Sequence, residues 1–210
     1  MASLAPTPPI AHGLLASDLE ADAARWVRRK LGAADHERRV LATAGKLFDL
    51  TRPLLNLTDA DSELLRLAAL LHDVGRAVSD KNHPAVGAEM IEQTNAVDLP
   101  PALRRRLAFL TRYHRGAVPP PMKEEHLIAV DSRQSLRTVL ALLRTADALD
   151  HRRNPATRLL LRLDGRRLSV GVTVAESLAD ARRVYKRRKK YRLLESFLGP
   201  AVRVSVELDG

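Results

Sequence analysis

Cysteine is absent from this chain of 210 residues. Disulfides and thiolate metal ligands are therefore both excluded, which fits the reducing setting of the cytoplasm. The sequence also lacks an apolar run long enough to span a bilayer. Residues 1–16 have neither the basic start nor the long apolar core of a signal peptide. We therefore expect a cytoplasmic protein that does not bind a membrane, with a flexible tail over residues 1–17.

Apolar and basic residues are both plentiful. With 45% hydrophobic residues, a chain of this length can bury a full core, and we expect one main domain with a small appendage. The formal net charge of +10 favours partners that carry phosphate. Net charge governs encounter and solubility, however, and does not decide fold or chemistry.

The first two thirds of the chain have the apolar spacing of helices. Ser17 is expected to cap a helix that ends before Gly32. Thr58 and Asp61 resemble a capping box at the start of another helix, and Pro53 is expected to interrupt the helix before it. The predicted helices span 18–31, about 35–50, 59–73, 84–93, 101–114 and about 132–149.

The pattern changes to strands after residue 154. Apolar residues alternate with others over 159–163 and 168–174, and Asp164-Gly165 between them is a two-residue hairpin signal. A helix over 176–198 and a last strand over 202–208 complete the chain.

These elements predict a fold class that is mainly α. We expect a helical bundle over residues 18–154, followed by a small ββαβ sheet unit over 155–210 in which one helix covers the sheet. No internal repeat is visible in the sequence.

His72 and Asp73 lie side by side at the end of an apolar run. Such a pair is costly to bury unless one partner engages both the imidazole and the carboxylate, and a metal ion can do so. The two side chains point about 100° apart around a helix, so they reach one ion only near the helix end, which Gly75 supplies. Asp147 also lies among apolar neighbours, where an unpaired carboxylate would be costly.

Three further histidines lie near the ends of predicted helices, namely His36, His83 and His114. Taken singly, each has a simpler explanation: a surface residue, a helix cap and an exposed phosphate contact, respectively. Asp150 lies three residues after Asp147 on the same helix face. We take Asp147 as a ligand and Asp150 as a residue that supports a ligand from behind.

Together these residues predict one or two divalent metal ions in each chain. A mixed imidazole and carboxylate set without thiolates suits Mn, Fe, Co, Ni, Zn or Mg rather than a structural zinc site. The order His, His-Asp, His, His, Asp resembles the HD-domain superfamily of metal-dependent phosphohydrolases, so the bundle is expected to be an HD-domain helical bundle.

The resemblance is narrower on closer comparison. Several segments look like the C-terminal helical HD region of exopolyphosphatase and guanosine pentaphosphate phosphatase, and the ββαβ tail is similar too; these segments are 67–75, 81–84, 112–115 and 143–150. The resemblance covers the chain from about Asp18 onward. The actin-like domains that cleave the phosphoanhydride in those enzymes have no counterpart in these residues, nor does a glycine-rich phosphate loop, so that activity is not carried over.

The resemblance implies an independent metallohydrolase, because the His-Asp pair is intact. It implies that the principal ion is held by His36, His72, Asp73 and Asp147. Asp73 is in addition expected to orient the attacking water, as the catalytic residue.

Other residues receive roles from the same resemblance. His83 and His114 are expected to hold a second ion or to bind phosphate as imidazolium. Arg115 stands where the two-metal HD branches often carry a second histidine. Arg76, Lys81 and Arg115 are the nearest cations in sequence to the ligands and are the candidates for binding substrate phosphate.

The segment 182–192 is the densest charge cluster in the chain. Its simplest explanation is the solvated face of the last helix. A run this dense, with two interleaved tyrosines, also suits a polyanion such as polyphosphate or RNA. Because the run is far in sequence from every predicted ligand, we expect it to act independently of hydrolysis.

Two functions are compatible with these features. The first is a metal-dependent phosphohydrolase that acts on a nucleotide or another small phosphoester through metal-activated water. The second is a non-catalytic module that binds polyphosphate, nucleotide or RNA and keeps a structural or vestigial metal site. The sequence leaves the substrate, the metal and the oligomeric state open, a homodimer included.

Overall fold

A computed structural model describes residues 12–117, 133–152 and 155–209. Its helices are α1 (His12–Leu31), α2 (Asp35–Leu55), α3 (Asp59–Leu71), α4 (His83–Gln93), α5 (Pro101–Tyr113), α6 (Arg133–Ala148), α7 (Leu178–Tyr185) and α8 (Arg192–Leu198). Its strands are β1 (Arg158–Asp164), β2 (Arg167–Val174) and β3 (Arg203–Leu208), and 3-10 helices span Val74–Ala77 and Arg188–Lys190. The predicted fold class, mainly α with a small C-terminal sheet, is confirmed.

Two helix boundaries differ from the prediction. Helix α1 begins at His12, so Ser17 lies inside the helix and does not cap it; the leucines and alanine that precede Ser17 are good helix formers. Helix α2 continues through Pro53 and ends at Asn56, whose φ of 52° is left-handed. A proline in the last turn removes only one helical hydrogen bond, which explains why it is tolerated there. Residues 1–11 of the predicted tail lie outside the described residues.

The predicted capping box at the start of α3 is present. The backbone N–H of Thr58 donates to the Asp61 carboxylate at 2.8 Å, and the N–H of Asp61 donates to the Thr58 hydroxyl at 3.3 Å. The box fixes where α3 starts, and His72 is the residue that caps its end. Helices α4, α5 and α6 match their predicted spans. The three consecutive prolines Pro119, Pro120 and Pro121 also predict a loop, and they lie outside the described residues.

The C-terminal sheet has the strand order β1-β2-β3. Strands β1 and β2 form the predicted antiparallel hairpin, and Asp164 pairs with Arg167, so the two turn residues are Gly165 and Arg166 rather than Asp164 and Gly165. Strands β2 and β3 are parallel, which requires the helical crossover between them.

The single helix predicted over 176–198 is wrong. The chain forms α7, a 3-10 helix and α8 instead. Tyr185 and Tyr191 are both fully buried, and the Tyr191 hydroxyl donates to the backbone carbonyl of Tyr185. Six residues apart on one straight helix, these side chains would point about 120° away from each other. Breaking the helix lets both tyrosines enter the core and places the basic residues between them in a compact turn.

One core of buried apolar side chains runs from the helices into the sheet unit. Helix α6 lies at its centre and contacts α2, α3, α5 and α8. Its residues Leu140, Leu142 and Leu143 are fully buried. The helical bundle and the sheet unit are therefore packed together, which brings the C-terminal segments next to the end of α6. No helix among the described residues is long and apolar enough to cross a membrane.

Candidate metal centre

Six predicted ligands meet where five helices begin or end. All six are buried, with no more than 4% exposed: His36 in the first turn of α2, His72 and Asp73 at the end of α3, His83 at the start of α4, His114 after α5 and Asp147 near the end of α6. Side chains from separate helices converge in this way because helix termini are brought together around α6.

Backbone carbonyls fix the orientation of three of the imidazoles. The Nδ1 atoms lie at hydrogen-bonding distance from the carbonyl three residues earlier: 2.8 Å for His72 and Ala69, 2.7 Å for His83 and Asp80, and 2.6 Å for His114 and Thr111. Since a carbonyl only accepts, Nδ1 carries the proton in each ring. The Nε2 lone pairs are thereby directed into the cluster.

The first group of ligand atoms lies on the α2 side. His36 Nε2 and His72 Nε2 are 3.3 Å apart. Asp147 Oδ1 is 3.5 Å from the former and 3.7 Å from the latter. Asp73 Oδ2 is 3.7 Å and 3.8 Å from the same two nitrogens. These are the four residues predicted for the principal ion, and the structure brings them together.

The second group lies on the α4 side. His83 Nε2 and His114 Nε2 are 3.3 Å apart. The other oxygen of Asp73, Oδ1, is 3.0 Å from His83 Nε2 and 3.3 Å from His114 Nε2. The carboxylate of Asp73 therefore lies between the two groups and offers one oxygen to each.

The donor set fits a divalent metal ion. Two three-residue groups have ligand atoms within 4.8 Å of one another, one of His36, His72 and Asp73 and one of Asp73, His83 and His114. In each group, two Nε2 atoms lie 3.3 Å apart with their lone pairs facing each other. Asp73 Oδ1 is a buried acceptor with no hydrogen-bond donor among the described residues. A bound cation would satisfy these electron pairs, which are costly to bury unpaired.

The charges of the cluster stabilise one another. Burial alone would raise the pKa of Asp73, but the imidazoles of His72, His114 and His83 hold it far below its usual range. Burial would also raise the pKa of Asp147, but the nearby imidazoles of His36 and His72 and the charge of Arg115 hold it well below its ordinary value. Against the effect of burial, Asp73 and Asp147 raise the pKa of His72. Both carboxylates are therefore ionised and available as ligands.

Asp150 contacts His36 on the side of the ring away from the first group. Its Oδ2 lies 2.5 Å from His36 Nδ1. Arg39 donates to the same carboxylate through Nε at 2.7 Å and Nη2 at 3.1 Å. These partners lower the pKa of Asp150 despite its burial. The ionised carboxylate fixes the proton of His36 on Nδ1 and leaves Nε2 facing the first group.

The cations predicted to bind phosphate have different positions. Arg76 donates to Asp73 Oδ2 at 2.7 Å, and Arg115 pairs with Asp147 through Nη2 at 3.0 Å and Nε at 3.2 Å. Lys81 is exposed and lines neither of the two cavities found among the described residues. The structure therefore brings two of the three cations to the cluster.

Sequence reasoning missed Glu37 and Arg152. Arg152 Nη2 donates to Asp73 Oδ2 at 2.8 Å and also to Glu37, whose side chain is completely buried. The burial of Glu37 was hard to predict, because it is followed by two arginines, a pattern typical of a surface residue. Arg152 lies only two residues after Asp150, so its closeness to the predicted ligands was a usable signal.

A family comparison agrees with this geometry. Residues 33–182 match the family model described as Ppx/GppA phosphatase, domain III. The chain belongs to the Ppx/GppA phosphatase family. The matched range contains every ligand of both groups together with Asp150 and Arg152. No curated protein is similar enough to the chain to count as a relative.

In this member of the Ppx/GppA family, the first group opens into a cavity of about 840 Å³. Its lining includes His36, His114 and Asp147. The basic segment, which is far from the ligands in sequence, lines the same cavity through Arg183, Arg187, Lys189, Lys190 and Arg192. The break between α7 and α8 thus brings this segment close to the metal centre in space, although it is far from the ligands in sequence. That the segment acts independently of hydrolysis stays a prediction.

Proposed function

We propose that this family member is a metal-dependent phosphohydrolase of the HD type, acting on a nucleotide or another small phosphoester. The observation that carries this proposal is the convergence of four Nε2 atoms and two ionised carboxylates in a cluster whose members His36, His114 and Asp147 line a cavity rich in cations. A structural ion needs ligands but no such opening, whereas a hydrolytic centre needs a path for substrate and water.

The proposed principal ion is held by His36, His72, Asp73 and Asp147. A second ion would be held by His83 and His114 with the other oxygen of Asp73. When bound, such an ion lowers the pKa of a coordinated water towards about 7 and polarises a phosphoryl oxygen. Donor chemistry restricts the metal to Mn, Fe, Co, Ni, Zn or Mg.

The residues of the chain bind and orient the reactants. Arg115 lines the cavity with its side chain 38% exposed, so it can bind a substrate phosphate while it remains paired with Asp147. Arg76 lines the same cavity beside Asp73. When only the principal ion is bound, Asp73 Oδ1 is free to accept a hydrogen bond from the attacking water. The water oxygen forms a P–O bond, the ester P–O bond breaks, the water proton passes to solvent, and the leaving oxygen takes a proton from solvent.

One observation favours the second function, a non-catalytic binding module. Asp73 Oδ2 accepts from both Arg76 and Arg152, and Asp147 is paired with Arg115 through two nitrogens. The two carboxylates are thus neutralised by guanidinium groups even without an ion. In such a module, the metal site would be structural or vestigial and the cavity would bind phosphorylated ligands without cleaving them.

Metal analysis followed by an activity screen distinguishes the two functions. The purified chain is assayed against nucleotides, cyclic nucleotides, alarmones and polyphosphate, with Mn²⁺, Co²⁺ and Ni²⁺ supplied in turn. We expect bound metal and metal-dependent release of phosphate. Asp73→Asn should abolish turnover with the helical circular dichroism unchanged, whereas Asp49→Asn, an exposed carboxylate on α2, should retain it. Bound metal without turnover on any substrate would support the binding module instead.

A further inference from the structure

The part of the cavity wall that the C-terminal unit forms, over residues 183–193, carries an excess of positive charge. Arg183 pairs with Asp180, and Arg144 donates to the carbonyls of Tyr113 and Gly116. Four other cations of the wall form no ion pair with a carboxylate within the described part of the chain: Arg187, Lys189, Lys190 and Arg192. Cations grouped without counter-charges repel one another, and an anionic ligand would relieve that repulsion.

Lys190 is the member of this wall that is placed to act with the metal centre. It lies at the end of the 3-10 helix, which contacts α6 near the ligands. Its side chain is half-buried and lines the cavity together with Asp147 and Arg115. Burial lowers the pKa of Lys190, and Arg115, Arg187 and Lys189 lower it further against the attraction of Asp147. The amine therefore lies near three other cations as well as near Asp147.

We propose that Lys190 contacts the substrate phosphate and that the C-terminal unit thereby supplies one wall of the active site. Arg187, Lys189 and Arg192 would bind further negative charge of the same ligand. Four cations exceed the charge of one phosphate dianion, so the ligand that fits is a small anion with at least one phosphate beyond the one at the metal centre. As an account of substrate binding, this inference rests on the proposed function.

Binding to the metal-free protein tests the wall separately from catalysis. Inorganic phosphate and pyrophosphate are titrated by calorimetry into the full chain treated with chelator. Pyrophosphate should bind more tightly than phosphate to the wild type. Lys190→Gln should weaken pyrophosphate binding about tenfold, the effect of one lost charge-assisted hydrogen bond, and Lys190→Arg should restore most of it. Lys186→Gln is the matched control, since Lys186 is exposed on the same segment and does not line the cavity.

Each outcome decides the proposal. If Lys190→Gln binds pyrophosphate with wild-type affinity, the proposal is overturned. An equal loss of affinity in Lys186→Gln would overturn it too, because net charge alone or an open polyanion surface would then explain binding. The proposal would also be overturned if the chain bound RNA in preference to pyrophosphate and both Lys190→Gln and Lys186→Gln weakened that binding equally. If Lys190→Gln fails to fold, Arg187→Gln, an exposed residue of the wall, takes its place with the same expectation.

The two proposals can fail separately. A chain that hydrolyses nothing but shows this binding pattern loses only the proposed phosphohydrolase activity. If the wild type hydrolyses phosphoesters and Lys190→Gln does so with the same KM, only the proposed role of Lys190 is lost.

Discussion

Asp150 Oδ2 lies 2.5 Å from His36 Nδ1, a contact between residues 114 positions apart in the chain. It joins the first turn of α2 to the residues that follow α6. Arg39, one turn further along α2, donates to both oxygens of the same carboxylate. This pair therefore determines both the position of the first ligand and which of its nitrogens is free.

Asp150→Asn should weaken metal binding without unfolding the protein. The amide removes the negative charge that makes His36 a strong ligand, and outer partners of ligating histidines contribute about ten- to a hundredfold to affinity. Competition with a chromogenic chelator would measure the loss. Asp49→Asn, which removes an exposed carboxylate from the same helix, should leave affinity unchanged. Equal affinities in the two variants would mean that Asp150 serves only to stabilise α2.

Arg152 and Glu37 should show strong energetic coupling. Arg152→Gln leaves the fully buried Glu37 carboxylate without the guanidinium partner that the structure gives it. We expect a loss of about 2–3 kcal/mol in the free energy of unfolding. Adding Glu37→Gln should recover part of this loss, since no buried charge is then left unpaired. Urea unfolding of the four members of the cycle measures the coupling, and strictly additive losses would contradict it.

The local features of the site were predictable because local rules govern them. The capping box of Thr58 and Asp61 and the adjacent pair of His72 and Asp73 are set by neighbours in sequence, and the structure has both at the expected helix ends. Arg152 was not predicted, because its partners Glu37 and Asp73 lie far away in sequence and its closeness to Asp150 was the only local signal.

The position of the basic segment was missed for a similar reason. Helical periodicity across 176–198 favours one continuous helix, whereas burial of Tyr185 and Tyr191 in a core formed with distant residues breaks it. Tertiary packing thus overrides the local pattern and moves Lys190 to the metal centre. At Pro53 a local rule predicted too early an end to a helix. Proline usually ends a helix, but α2 tolerates it because only the final turn follows.

Gly75→Ala should disturb the second ligand group. A Cβ at this position would overlap the carbonyl of His83 and the backbone of Gly87. Helix α4 would have to move away from the 3-10 helix, carrying His83 away from Asp73. We expect a destabilisation of about 1–3 kcal/mol and weaker binding of a second metal ion.

A matched glycine provides the control for that substitution. A Cβ at Gly45, inside α2, would meet nothing within 4 Å. Gly45→Ala should therefore raise stability by about 0.5–1 kcal/mol, because alanine is the better helix former. Thermal unfolding and metal titration of both variants measure the contrast. Normal binding of two ions by Gly75→Ala would show that the close approach of α4 is not needed for the site.

Metal binding should strengthen as pH rises, because His72 must lose a proton to become a ligand. Asp73 and Asp147, acting against burial, raise the pKa of His72. In the metal-free protein, the stability contributed by protonated His72 is complete below the unfolded pKa of about 6.5 and is lost as pH rises through the raised folded pKa. The pKa of His114 is instead lowered, mainly by burial, so this ring is already neutral and releases no proton.

The gap between the melting temperatures of metal-loaded and chelator-treated protein should therefore widen from about pH 6 to about pH 8. Below the pKa of His72, affinity should rise about tenfold per pH unit, the slope expected for one displaced proton. Thermal unfolding followed by circular dichroism at each pH measures the gap. His72→Gln removes the titrating ligand and should flatten the profile. A gap that stays constant in the wild type would show that the ion does not replace a proton on His72, and the first ligand group would then have to be assigned without it.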